Sequence, residues 1–236
     1  MHEIKIAQWA LDRAIERRGK RHVHEDLDPR KTALIVVDLQ NGFMVQEVAA
    51  AYVPVAVEIV PNVNKLAAAV RRTGGKVFWI KQTVDEDSAV AWSEWLSMMT
   101  PATRRNLVAN LAPGSRGHEI YPDLEVKSED EVVQKYRFSA FVQGASDLPQ
   151  RLRAQGYDTV LIAGTVTNVC CESSARDAMM LNFKTIMVSD ANAARTDEEH
   201  NATLGIMMVM FADIRSTDEM ITLLQEQAAP LAGAAE

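Results

Sequence analysis

Short apolar runs alternate with amphipathic segments along most of this chain, and the alternation predicts its fold. Ala33 to Val37 reads ALIVV, a continuous apolar run expected of a strand buried on both faces, and it ends at Asp38. Val77–Ile80, Glu131–Gln134, Thr159–Ala163 and Thr185–Val188 repeat the pattern, and Ile214 marks a short sixth strand. Val63, Leu66, Ala67 and Val70 recur at helical spacing in a segment from about 59 to 72, which Gly74-Gly75 stops. Further helices are predicted over 92–108, as two pieces broken at Pro101, and over 147–155, 170–181, 198–211 and 217–225. Strands alternating with helices imply one α/β domain, a doubly wound parallel sheet of six strands with helices on both faces. Residues 1–29 form an N-terminal helical extension, 30–226 the domain, and 227–236 a flexible tail of small residues.

Composition narrows the partners. Among 236 residues, 25 Lys and Arg face 32 Asp and Glu, a net charge of −7 that weighs against nucleic acid or an anionic membrane. No apolar run approaches the ~18 residues of a membrane span, and Met1-His2-Glu3-Ile4-Lys5 lacks the apolar core of a signal peptide. The two cysteines, Cys170 and Cys171, are adjacent, which excludes a disulfide framework and points to a reducing cytoplasm.

In an open parallel sheet, ligands bind beyond the carboxyl ends of the strands. Asp38, Lys135 and Cys170 all fall at or just past such ends. A carboxylate, an amine and a thiol on one rim are the parts of a cysteine hydrolase. Cys170 at a helix start would have its thiolate favoured by the dipole and by Lys135. Asp38 would take the thiol proton and return it to a leaving amine, and backbone N–H groups of the same turn would hold an oxyanion. An ordinary role is open to each residue: a cysteine there also packs as a small hydrophobe, a lysine after a strand is often solvated, and Asp38 can cap a turn. Cys171 shares a helical face with Ala175 and Ala178 and is expected to pack.

At these residues the sequence resembles the isochorismatase-like, or cysteine hydrolase, superfamily. TALIVVDLQNGF (32–43), KYRFSAF (135–141) and AGTVTNVCCESSARDAMMLNF (163–183) resemble its three signature segments in order and spacing. The resemblance implies an isochorismatase-like fold, a triad of Asp38, Lys135 and Cys170, and homodimers or homotetramers. It also implies a non-proline cis peptide at Thr165–Val166, with the amides of Val166 and Cys170 as the oxyanion hole.

True isochorismatases lack the nucleophilic cysteine, so Cys170 favours amide or ureide hydrolysis through a thioester. Nicotinamidases in the family hold a metal through an Asp-x-His motif after the second strand. Here that stretch reads Trp79-Ile80-Lys81-Gln82-Thr83-Val84-Asp85, and the five histidines form no ligand-spaced cluster, so neither metal nor cofactor is expected. His22-x-His24 reads as a solvated pair. TNVCCESSARDAMM, KYRFSAF and VFWIKQ are most similar to the ureidoacrylate-amidohydrolase branch, which cleaves a carbamoyl or amide C–N bond of a small linear substrate and releases ammonia. Val142-Gln143-Gly144-Ala145 departs from that branch, leaving the substrate open. Candidate substrate-binding residues are Gln40, Phe43, Trp79, Gln82, Tyr136, Arg137 and Phe141, with Arg137 suited to a carboxylate. Trp92 and Trp95 fit a lid or a subunit contact. The alternative is a catalytically silent family member acting as a binding or assembly subunit.

Overall fold

The computed structural model describes residues 1–233. Helix α1 (Gln8–Arg18) precedes strand β1 (Thr32–Val37), whose six side chains are all buried. A single turn, α2 (Asn41–Met44), and helix α3 (Val60–Arg72) lead to β2 (Lys76–Gln82). Three short helices follow, α4 (Glu86–Ala91), α5 (Ser93–Ser97) and α6 (Pro101–Leu111), where the sequence predicts two. The additional helix, α4, lies ahead of the predicted span: Asp85 caps its start with a capping box, and it ends at Trp92, whose φ −127° and ψ 37° leave helical geometry before α5 begins. Next come β3 (Glu131–Lys135), α7 (Leu148–Ala154), β4 (Thr159–Thr165) and α8 (Glu172–Met180). Finally β5 (Lys184–Ala193), α9 (Asp197–Met210), β6 (Asp213–Arg215) and α10 (Thr217–Gly233) complete the chain. The tail expected from 227 is helical through Gly233, because Gln227, Ala228 and Ala229 are good helix formers that extend α10; residues 234–236 lie outside the described residues.

The six strands are all parallel, in the order β3-β2-β1-β4-β5-β6. Alternation along β1 divides the core. Leu34 and Val36 face one apolar cluster with Leu66, Val70 and Leu224, while Ala33, Ile35 and Val37 face another with Leu148, Ala175 and Leu204. The strand order reverses between β1 and β4, and a crevice opens at the carboxyl ends where it does.

Close approach of β1 and β4 requires Gly164. It has φ +121°, and a Cβ there would fall 2.1 Å from the Val37 carbonyl oxygen. Asp38 follows β1 with φ 54°, a left-handed conformation that Asp tolerates better than most residues. The peptide bond between Thr165 and Val166 is cis.

The N-terminal extension is docked. Ala10 and Ala14 are buried where α1 meets α9, and the Arg18 guanidinium donates to the carbonyls of Met208 and, at 2.9 Å, Ala212. His22 is largely buried rather than solvated, because its Nδ1 lies 3.2 Å from Oδ1 of the fully buried Asp213.

Candidate active site

Each member of the predicted triad is delivered by a different element to the switch point. Asp38 leaves β1, Lys135 ends β3, and Cys170 lies in a π-helical turn, Thr167–Cys171, that connects β4 to α8. Asp38 and Lys135 are wholly buried, and Lys135 Nζ lies 2.8 Å from Asp38 Oδ2. The Cys170 thiol borders the same carboxylate, as does the Gln82 backbone N–H. A buried carboxylate beside a thiol is placed to take its proton.

Burial dominates the electrostatics. It raises the Asp38 pKa above the ordinary carboxylate value, and the nearby Lys135 ammonium only partly offsets it. Burial alone would lower Lys135, but Asp38 and Cys170 outweigh it and leave the ammonium above its ordinary value. The Cys170 thiol is pushed up to about 12 by burial, with Lys135 opposing and Asp38 adding to the rise. Burial thus opposes the thiolate that a helix start and a lysine favour. Desolvation in the closed site outweighs both attractions. Cys171 is also buried, among Ala175 and Ala178, and burial holds its thiol well above the usual range.

A polar network fixes the lysine. Lys135 Nζ donates to Gln82 Oε1 at 2.6 Å and to the Arg137 carbonyl at 3.1 Å. The Gln82 backbone N–H donates to Gln40 Oε1 at 2.7 Å. Gln40 Nε2 donates to the carbonyls of Gln82 and His118, at 3.2 and 3.1 Å. Gln40 thus ties the loop after β1 to the end of β2.

Cys170 opens onto a cavity of about 240 Å³. Its walls include Phe43 from α2, Trp95 from α5, Leu107 and Leu111 from α6, and Phe138; Gln82, Asn168, Arg195 and Glu199 supply the polar groups. The Val166 amide N–H faces the Cys170 sulfur, and Val166 lines the cavity too. Asp38 and Lys135 lie behind this wall and reach the cavity through Cys170 and Gln82.

Of the seven predicted substrate contacts, Phe43 and Gln82 line the cavity and five do not. Gln40 is wholly buried and spends its amide on backbone groups. Trp79 alternates into the core face of β2, and its Nε1–H donates to Asp130 Oδ2 at 2.8 Å. Phe141 packs edge-on against Phe183, ring centres 5.9 Å apart, on the opposite core face. Tyr136 points outward, its hydroxyl 3.3 Å from Gln134 Oε1. Arg137 donates to the Tyr136 and Ala91 carbonyls and stacks over Trp92, so its fork is already occupied. Trp92 and Trp95 stack on each other and meet Phe138 edge-on, and Trp95 roofs the cavity.

Asn168 and Val169 are legible in sequence, because they immediately precede Cys170. Arg195 and Glu199 are not: the apolar run of the fifth strand ends at Val188, and only the continuation of β5 to Ala193 brings the segment that follows it to the carboxyl rim. Leu107, Leu111 and Phe138 carry no such signal, since apolar residues at helical spacing read as ordinary packing.

An isochorismatase domain matches residues 32–219. The chain belongs to the isochorismatase family. It is 30% identical over 204 residues to the uncharacterized isochorismatase family protein YwoC of Bacillus subtilis, covering 83% of this chain and 95% of that one. It is 29% identical over 212 residues to the ureidoacrylate amidohydrolase RutB of Acinetobacter baylyi, covering 84% and 86%. Among solved structures, a cysteine hydrolase from Pseudomonas syringae pv. phaseolicola superposes with a TM-score of 0.78 at 30% identity, over 88% of this chain and 99% of that one. As an isochorismatase-family hydrolase, the chain presents no group of three His, Cys, Asp or Glu side chains able to hold a metal among its described residues. Nor is any of its described helices long and apolar enough to cross a membrane.

Proposed function

We propose that this hydrolase is a cysteine-dependent amidohydrolase that cleaves a C–N bond of a small acyclic amide or ureide. The observation that carries the reading is the meeting of Asp38, Lys135 and Cys170 behind one wall of a cavity into which the sulfur alone of the three opens. The relationship to an enzyme named for ureidoacrylate hydrolysis supports the same bond type.

In this mechanism Asp38 accepts the Cys170 proton as Sγ attacks the amide carbon. The S–C bond forms, and the carbonyl electrons move to an oxygen held by the Val166 and Cys170 amides. Collapse breaks the C–N bond, and Asp38 returns its proton to the departing nitrogen, which leaves as ammonia or an amine. Water then attacks the thioester, Asp38 takes its proton, and the thiol is restored as the acid departs. A raised Asp38 pKa suits it to both directions of transfer. Lys135 stays protonated and holds Asp38 and Gln82 in place.

Arg195 takes the part that sequence gave to Arg137. Arg195 lines the cavity and its guanidinium makes no ion pair among the described residues, so it is free to meet a substrate carboxylate. The cytoplasmic location and the homo-oligomer implied by the resemblance belong to the same proposal. A panel of small amides, ureides and carbamoyl compounds with ammonia detection tests it. Turnover by the native chain and none by Cys170→Ala is expected; no turnover across the panel by a folded protein favours a binding subunit instead.

A further inference from the structure

We infer that His2, far in sequence from every catalytic group, is a positioning residue that clasps together two walls of the active-site cavity. A histidine in an N-terminal arm is ordinarily solvated, but the His2 side chain is only 2% exposed and both ring nitrogens are engaged. The Ala194 backbone N–H donates to Nε2 at 2.9 Å, which places the ring proton on Nδ1, where it is donated to Asp197 Oδ1 at 2.7 Å. The arm is held on either side of the ring's neighbours: Asn201 Nδ2 donates to the Glu3 carbonyl, and the Lys5 N–H donates back to Asn201 Oδ1.

One wall is thereby fixed directly. Ala194 immediately precedes Arg195, which lines the cavity, and Asp197 begins α9, which supplies Glu199. The other wall is fixed through a second ring. His2 stacks on the buried His200, centroids 4.3 Å apart and planes 18° from parallel. His200 Nδ1 shares a 2.9 Å hydrogen bond with the Thr167 hydroxyl. Thr167 is wholly buried and opens the π-helical turn whose Asn168, Val169 and Cys170 line the cavity. Burial lowers His200 to about 4, so the stack joins it as a neutral ring at ordinary pH. His2 therefore sets where Arg195 stands relative to Cys170, and does so without touching substrate.

This rests on Cys170 as the reactive sulfur and Arg195 as the anion-binding group, and two alkylating agents read it without a substrate. Neutral iodoacetamide reports the accessibility and reactivity of Cys170; iodoacetate of the same shape adds a carboxylate for Arg195 to attract. The ratio of the two rates, measured at Cys170 by mass spectrometry, is expected to fall about fivefold in Arg195→Ala, the scale of one short-range charge pair in water. His2→Ala is expected to match that loss and to slow both reagents as the nucleophile turn loses its support. His2→Phe, which keeps the stack on His200 but cannot accept from Ala194, is expected to lose the ratio while preserving the iodoacetamide rate. Thr167→Val breaks the far end of the relay and is expected to slow iodoacetamide with the ratio kept, which gives a second test should His2→Ala fail to fold by thermal melting. Wild-type rates and ratio in folded His2→Phe, or a wild-type iodoacetamide rate in Thr167→Val, would overturn the clasp. If Arg195→Ala leaves the ratio unchanged, or the label lands away from Cys170, it is the proposed site that fails, not the clasp.

Discussion

The floor and the roof of the cavity are built on opposite principles. The floor, beneath Cys170, is a buried polar lattice in which Asp38, Gln40, Gln82 and Lys135 cross-link the ends of β1, β2 and β3. Parallel pairing sets its geometry, with Val37 opposite Ile80 and Gln82 opposite Lys135. The roof is apolar, with Trp95, Leu107 and Leu111 from short helices closing over Phe138 and Phe43. Directional bonds in the floor hold a proton path, and a lost partner there leaves a buried polar group unpaired. Contacts in the roof are non-directional and set only shape and volume. On this account the floor determines whether a bond breaks, and the roof determines which molecule is brought to it.

Substitutions can break that division. Cys170→Ala should abolish turnover, by up to about 10⁶-fold as in other enzymes that lose their nucleophile, with thermal melting unchanged within a few degrees. Asp38→Asn should lower kcat by about 10²–10⁴, the usual contribution of a general base. The pH profile tests the same residue. Asp38 must be ionised to take the thiol proton, so kcat/KM should fall as pH drops through a value above that of an ordinary carboxylate. With the Cys170 thiol at about 12, no limb from its ionisation should appear near neutrality. A limb at the ordinary thiol value, about 8.5, would mean that the free thiolate, not the Asp38–thiol pair, is the reactive form.

Gln82→Leu sharpens the floor further. It takes one hydrogen-bond acceptor from the buried Lys135, and should cost about 1.5–3 kcal/mol in denaturant unfolding together with a fall in kcat. Leu107→Ala should behave as a roof residue, raising KM by roughly tenfold with kcat within about twofold, because the pocket contact it loses is made equally in ground and transition states. An equal fall in kcat would move Leu107 into the chemistry and end the division. At the small end, exhaustive chelation should leave activity intact, and Cys171→Val should cost about 1 kcal/mol while preserving turnover.

The same contrast explains what could be read in sequence. A strand's end is a topological address, so Asp38 after ALIVV and Lys135 after EVVQ could be placed on one rim from the chain alone. Arg195 escapes that address in sequence, because the apolar run of the fifth strand stops at Val188 while β5 continues to Ala193. Trp79 was misplaced because the run VFWI conceals its alternation; only the register of β2 against β1 shows that it faces the core. Phe43 and Trp95 of the roof are legible in sequence as a pocket residue and a lid, but the part of the roof from α6 is illegible for a deeper reason. Leu107 and Leu111 are spaced as in any amphipathic helix, and only the three-dimensional path of α6 makes one side of them a cavity wall. Helix ends and charges that favour a thiolate are visible in sequence, whereas the desolvation that raises the Cys170 thiol is not.

Cys170 is expected to carry the acyl group, which can be read directly from the enzyme during turnover. A reaction with an amide found active in the ammonia screen is quenched in acid, digested, and fragmented by mass spectrometry to separate the two adjacent cysteines. An acyl mass is expected on Cys170, present also in Cys171→Val and absent from Cys170→Ala. An acyl group on Cys171, or sustained turnover by Cys170→Ala, would contradict it.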